Sequence, residues 1–108
     1  MRIPLTLAAL LALTSISASA AENCREIHGR AAYYRGDGQL RIWHIGTHHE
    51  FSIDEGSTSW NLLLDILGND GSKALYADFT VCPISGFVKG AAQEAAVTKI
   101  RHPHITKW

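Results

Sequence analysis

Six histidines stand in this chain. Neutral imidazole suits zinc, copper and nickel, so His44, His48, His49, His102 and His104 are the residues whose type and clustering first point to chemistry. His44 and His48 have a spacing that would join them on one helical face, and His102 and His104 one that would join them on a strand. His44 falls in an extended stretch and His48 in the bend after it, so spacing does not unite that pair. Neither group has an acidic or thiolate partner at a fixed offset. Solvated or hydrogen-bonded histidines are the simpler expectation, and a histidine-based periplasmic metal-binding protein is the alternative.

A second set carries stacking chemistry. Arg30, Tyr34, Arg41 and Trp43 alternate along two adjacent extended segments, and alternation would place their rings and guanidinium groups on one face as ligand-binding candidates. The chain balances ten Lys and Arg against ten Asp and Glu, so it lacks the long-range field that gathers a polyanion. A glycan, a peptide or an envelope protein suits such a face better than nucleic acid, and a hairpin face packed on the chain's own tail is the plainer outcome. The ending Lys99, Arg101, His102, His104, Lys107 and Trp108 is basic enough to touch an anionic surface, although a frayed, solvated tail needs no partner. Arg35-Gly36-Asp37 spells an integrin-binding tripeptide whose Gly and Asp already serve a turn. Asp54-Glu55 and Asp65 with Asp70 read as solvated charge. The chain has no Gly-x-Ser-x-Gly elbow, phosphate-binding glycine loop or His-Glu-x-x-His, so no catalytic residue and no cofactor is assigned. A binding module is expected rather than an enzyme.

The compartment follows from the first twenty residues. Met1-Arg2 is a short positive start, residues 5–13 are apolar apart from Thr6, and Ala18-Ser19-Ala20 offers the small residues a signal peptidase reads. A signal peptide over residues 1–20 is expected, too short to span a bilayer, with a mature domain over residues 21–108. Cleavage removes only Arg2 among the charges, leaving a net charge of −1 on nine basic and ten acidic residues. With 46% hydrophobic and 19% charged residues, the chain is globular in composition rather than disordered. Its 108 residues leave room for one core. Cys24 and Cys82 are the only cysteines. Export would bring them where thiols oxidise, so one structural disulfide is expected, and closing so long a loop is worth about 4 kcal/mol in chain entropy.

The elements that must position these residues emerge from periodicity. From Ile27 the small and apolar residues Ile27, Gly29, Ala31 and Tyr33 alternate with His28 and Arg30, which is a strand. Asp37-Gly38 as a two-residue type I′ loop would set Tyr33 opposite Ile42 and Ala31 opposite His44. Ile27, Ala31, Tyr33, Leu40 and Ile42 would then point one way, and His28, Arg30, Tyr34, Arg41, Trp43 and Ile45 the other. A third short strand is expected over 49–53. A helix over 60–67 follows, with Trp60, Leu63, Leu64 and Leu67 as one stripe, Ser57, Thr58 or Ser59 as its cap and Gly68 as its stop. A fourth strand covers 74–81. Residues 83–90 read as a loop with at most a partial helical turn, before a fifth strand over 95–101 that Pro103 ends, leaving a short basic tail.

Three strands, a helix, then two strands is the element order of the small five-stranded OB barrel. In that barrel the first and fourth strands are antiparallel neighbours, so Cys24 before the one and Cys82 after the other would meet at one end. The chain also resembles a group of small exported bacterial proteins without an assigned activity. The resemblance is carried by Cys24, Gly29-Arg30, Arg41-Ile42-Trp43, Ile45-Gly46-Thr47 and Tyr76-Ala77-Asp78-Phe79-Thr80-Val81-Cys82-Pro83. It implies export and an OB-like fold, and it implies no site residue.

Overall fold

The alternation that begins at Ile27 builds strand β1 (Arg25–Tyr34), which pairs antiparallel with β2 (Gln39–His44). The computed structural model describes residues 23–108, so the expected leader lies outside the described residues. Strand β3 (Glu50–Ile53), helix α1 (Thr58–Leu67), β4 (Lys73–Pro83) and β5 (Gln93–Lys107) follow. β2 pairs with β3, β1 pairs on its other edge with β4, and β4 pairs with β5, all antiparallel. β5 returns parallel to β3, which closes a barrel in the order β1-β2-β3-β5-β4. This is the OB-like arrangement that the element order predicts.

Inward side chains fill the barrel. Ile27, Ala31, Leu40, Ile42, Phe51, Leu75, Phe79 and Val81 belong to one buried cluster, and α1 adds Trp60, Leu63 and Leu67 to it. Burying each large apolar side chain is worth about 1.5–3 kcal/mol. Ser57 is the helix cap, its hydroxyl accepting from the Trp60 N–H at 3.1 Å, and Gly68 ends the helix at φ 72°. The parallel seam is the thinnest, with only Phe51 opposite Gln93 and Ser52 opposite Glu94. Ser59 of α1 ties the helix to β5 nearby: its buried hydroxyl accepts from the Val97 N–H at 2.8 Å and donates to the Val97 carbonyl at 3.2 Å.

The hairpin register differs from the expected one. Tyr33 faces Leu40 and Ala31 faces Ile42, so the loop takes four residues, 35–38. A type I′ turn needs positive φ at both central residues, whereas of Asp37 and Gly38 only Gly38 has it. The loop closes instead through the Asp37 and Gly38 N–H groups, which both donate to the Tyr34 carbonyl. The shift is by two residues, an even number, so each side chain keeps its predicted face.

The disulfide forms as expected between Cys24 and Cys82, with Cα atoms 4.1 Å apart. The β1–β4 ladder explains it, since Arg25 lies opposite Val81 and the next residues outward are the two cysteines.

The C-terminal segment overturns two expectations. The fifth strand runs from Gln93 to Lys107 rather than over 95–101, and Pro103 does not end it. Nor is residues 102–107 a frayed basic tail, for Lys107 pairs with Lys73 and Thr106 with Ala74. The reason is a bulge: between Arg101 and His104 the strand carries one residue more than β4 does between Asp78 and Tyr76. Proline is tolerated at a bulge because no ladder N–H is required there. His102 takes up the extra length at φ 55°, the one positive φ of a non-glycine among the described residues.

Candidate functional site

Ladder registry writes the candidate face across the barrel. Glu50 on β3 lies opposite Trp43 on β2, Trp43 opposite Arg30 on β1, Arg30 opposite Tyr76 on β4, and Tyr76 opposite His104 on β5. Arg30, Tyr34, Arg41 and Trp43 share this outer face, as alternation requires, and all four are half-buried. Sequence reasoning places Trp108 only in the basic ending. Its indole N–H donates to the Gly71 carbonyl at 2.9 Å and its backbone N–H to the Ser72 carbonyl at 3.1 Å, which brings the ring over the face. The Arg30 guanidinium carbon lies 5.0 Å from the Trp43 ring centroid and 4.9 Å from that of Trp108. Two indoles therefore lie within cation–π range of Arg30, whose charge their negative π faces attract by about 0.5–2 kcal/mol each. Tyr34 lies beside Trp108, the rings tilted and their centroids 6.1 Å apart. The hairpin face thus packs on the chain's own C-terminal residue, the plainer of the outcomes expected for it, though no local signal in residues 102–108 singles out Trp108.

The two arginines differ in their polar partners. Arg41 lies 5.4 Å over the Tyr34 ring, donates from Nε to Gln39 at 2.8 Å, and pairs with Glu50 at 3.6 Å and Asp37 at 3.8 Å. Arg30 makes no ion pair or side-chain hydrogen bond among the described residues, and its Nε is buried without an acceptor. An open cleft of about 410 Å³ lies beside it, lined by Arg30, Trp43, Thr47, His48 and Glu50. The 45–49 loop holds its rim: the Trp43 indole N–H donates to the Thr47 carbonyl at 2.7 Å, and the Thr47 hydroxyl donates to the His44 carbonyl at 2.7 Å.

The histidines divide differently from their sequence clusters. His44 ends β2, and His48 and His49 sit in the loop after it, whereas His102 and His104 lie on β5, which does not border β2. Among the described residues no three His, Cys, Asp or Glu side chains gather as a metal-binding group. Partial burial, then the charge of Arg25 and neighbouring His49, lower His44 from its ordinary value. The His49 ring lies against Phe51 and Phe87, with centroids 4.4 and 5.1 Å away, tilted on the first and edge-on to the second. The carboxylate partner that the local spacing lacks comes from another strand. Asp78 of β4 accepts from His102 Nδ1 at 2.9 Å and from His28 Nδ1 at 3.1 Å. These two bonds, His102 first, hold the Asp78 carboxyl below the usual carboxylate range. No local spacing singles out His28, because its partner stands fifty residues away.

Compared with protein-family models, curated proteins and solved structures, the chain matches none.

Proposed function

We propose that this chain is an exported, disulfide-stabilised binding module of the cell envelope, and that its ligand docks on the outer face of β1 and β2 in the cleft beside Trp43. One observation carries the reading: an arginine within cation–π distance of two indoles at the wall of an open cleft, with no ion-pair partner among the described residues. Export rests on the leader and on the resemblance to small exported bacterial proteins, and the Cys24–Cys82 bridge fits an oxidising compartment. Among the described residues no helix is long and apolar enough to cross a membrane. The test is a screen of the mature protein against glycans, peptides and short DNA, with Trp43→Ala alongside after its fold is checked by circular dichroism. A glycan or peptide hit that the variant loses at least tenfold is expected. A wholly negative screen overturns the proposal.

The second reading, a periplasmic metal binder, is favoured by Asp78. A carboxylate that accepts from Nδ1 of His28 and His102 leaves each Nε2 free to ligate, the usual outer-shell arrangement of a metal-binding histidine. Calorimetric titration of the metal-stripped protein with zinc and copper distinguishes the two readings. Saturable heat lost in His102→Ala selects the metal, and no heat removes it.

A further inference from the structure

We infer that the Arg30 cleft selects a single carboxylate and that its ligand is an acidic saccharide of the uronic acid kind, an inference that rests on the binding role proposed above. A guanidinium is planar and permanently charged, and it carries five N–H donors around its edge. The Trp43 and Trp108 rings lie 5.0 and 4.9 Å from the central carbon of the Arg30 guanidinium, and a guanidinium held against π faces makes its polar contacts along its edge. The edge is the side that matches the two oxygens of a carboxylate. Two other arginines are already matched: Arg41 by Gln39, Asp37 and Glu50, and Arg101 by Glu26 at 3.2 Å. Arg30 has no side-chain acceptor among the described residues and its Nε is buried unsatisfied, so the donors left for a ligand are those of its two terminal nitrogens.

The remaining lining narrows the ligand. Trp43 offers a ring to the C–H face of a sugar, while Thr47, His48 and Glu50 offer a hydroxyl, an imidazole and a carboxylate to its hydroxyls. With Arg30 as the one arginine of the lining and Glu50 paired to Arg41 at 3.6 Å, the cleft disfavours a phosphate diester chain, which rewards several cations in a row. A peptide that docks by adding a strand needs an open sheet edge, which this closed barrel does not offer. The cleft of about 410 Å³ is in the range of small-ligand sites.

The test uses the mature, disulfide-intact protein and four probes: a disaccharide with one glucuronic acid, its methyl ester, the neutral disaccharide of the same linkage, and inorganic phosphate. Tryptophan fluorescence reports binding because Trp43 and Trp108 flank Arg30, and calorimetry checks it. The acid is expected to bind at least tenfold tighter than the ester, the neutral sugar or phosphate. Arg30→Lys, which keeps the charge but loses the planar fork, is expected to lose at least tenfold for the acid and less than twofold for the neutral sugar. Equal affinity for acid, ester and neutral sugar, all weakened by Trp43→Ala, overturns carboxylate selection while the binding role stands. Phosphate binding as tight as the acid, or no binding by any of the three sugars, also overturns it, and in the latter case the broader screen above decides the binding role separately. If Arg30→Lys does not fold, the acid-to-ester ratio of the unaltered protein decides alone.

Discussion

Asp78 is the side chain whose ionisation the fold most visibly uses. His102 and then His28 donate to it and lower its carboxyl from the ordinary 3.8, so the folded state binds a proton less readily than the unfolded chain does. Its contribution to stability is therefore complete above the unfolded value and fades as pH falls through the lower folded value. Asp78→Asn is expected to be less stable than the parent at neutral pH, with the gap closing below about pH 4 as the parent's carboxyl is protonated. Urea midpoints of both proteins from neutral to strongly acid pH measure this, and a gap that stays constant contradicts the assignment. His44 acts in the same sense at higher pH. Its lowered imidazole favours the neutral form when folded, so its share of stability is present above the ordinary value of 6.5 and lost as pH falls below it. At this scale the sequence was a good guide to residue type and a poor one to partnership. Arg30, Tyr34, Arg41 and Trp43 share a face because alternation is local, whereas His28, Asp78 and His102 meet only because β1, β4 and β5 are adjacent.

Strand β5 shows how far local propensity reaches. The run of Val97, Thr98 and Ile100 predicts a strand, and Pro103 reads as its end because a proline cannot serve the ladder. The bulge at His102 removes that conflict by leaving Pro103 where no N–H is needed, and pairing resumes through Lys107 opposite Lys73. Backbone amides of residues 104–107 that serve the ladder are expected to exchange slowly with solvent, together with those of β4. Hydrogen exchange at the rate of a free chain end would show a frayed tail instead. The consequence reaches the candidate site, since only a paired β5 delivers Trp108 to Arg30. The hairpin loop teaches the converse. Its exact length escaped a reading based on turn residues, yet the error of two left both faces intact, because strand parity rather than turn type decides what faces out.

For the whole molecule the barrel is small and one of its seams holds only two residue pairs, so the Cys24–Cys82 bridge is expected to carry a large share of stability. Replacing both cysteines by serine is expected to cost about 2–5 kcal/mol, measured as a drop in the urea midpoint with the transition slope compared. An unchanged midpoint would show that the sheet closes without the bridge. The sequence by itself determined the first four strands and the helix, their inward and outward faces, the pairing of the only two cysteines and the OB-like order, because each depends on periodicity, on neighbours in the chain or on counting. Only the tertiary structure decided that Trp108 closes over Arg30, that Arg41 is matched and Arg30 is not, and that Asp78 joins two histidines. Those contacts link residues up to 78 positions apart, and the bulge and barrel closure that create them leave no mark on any short window of the chain.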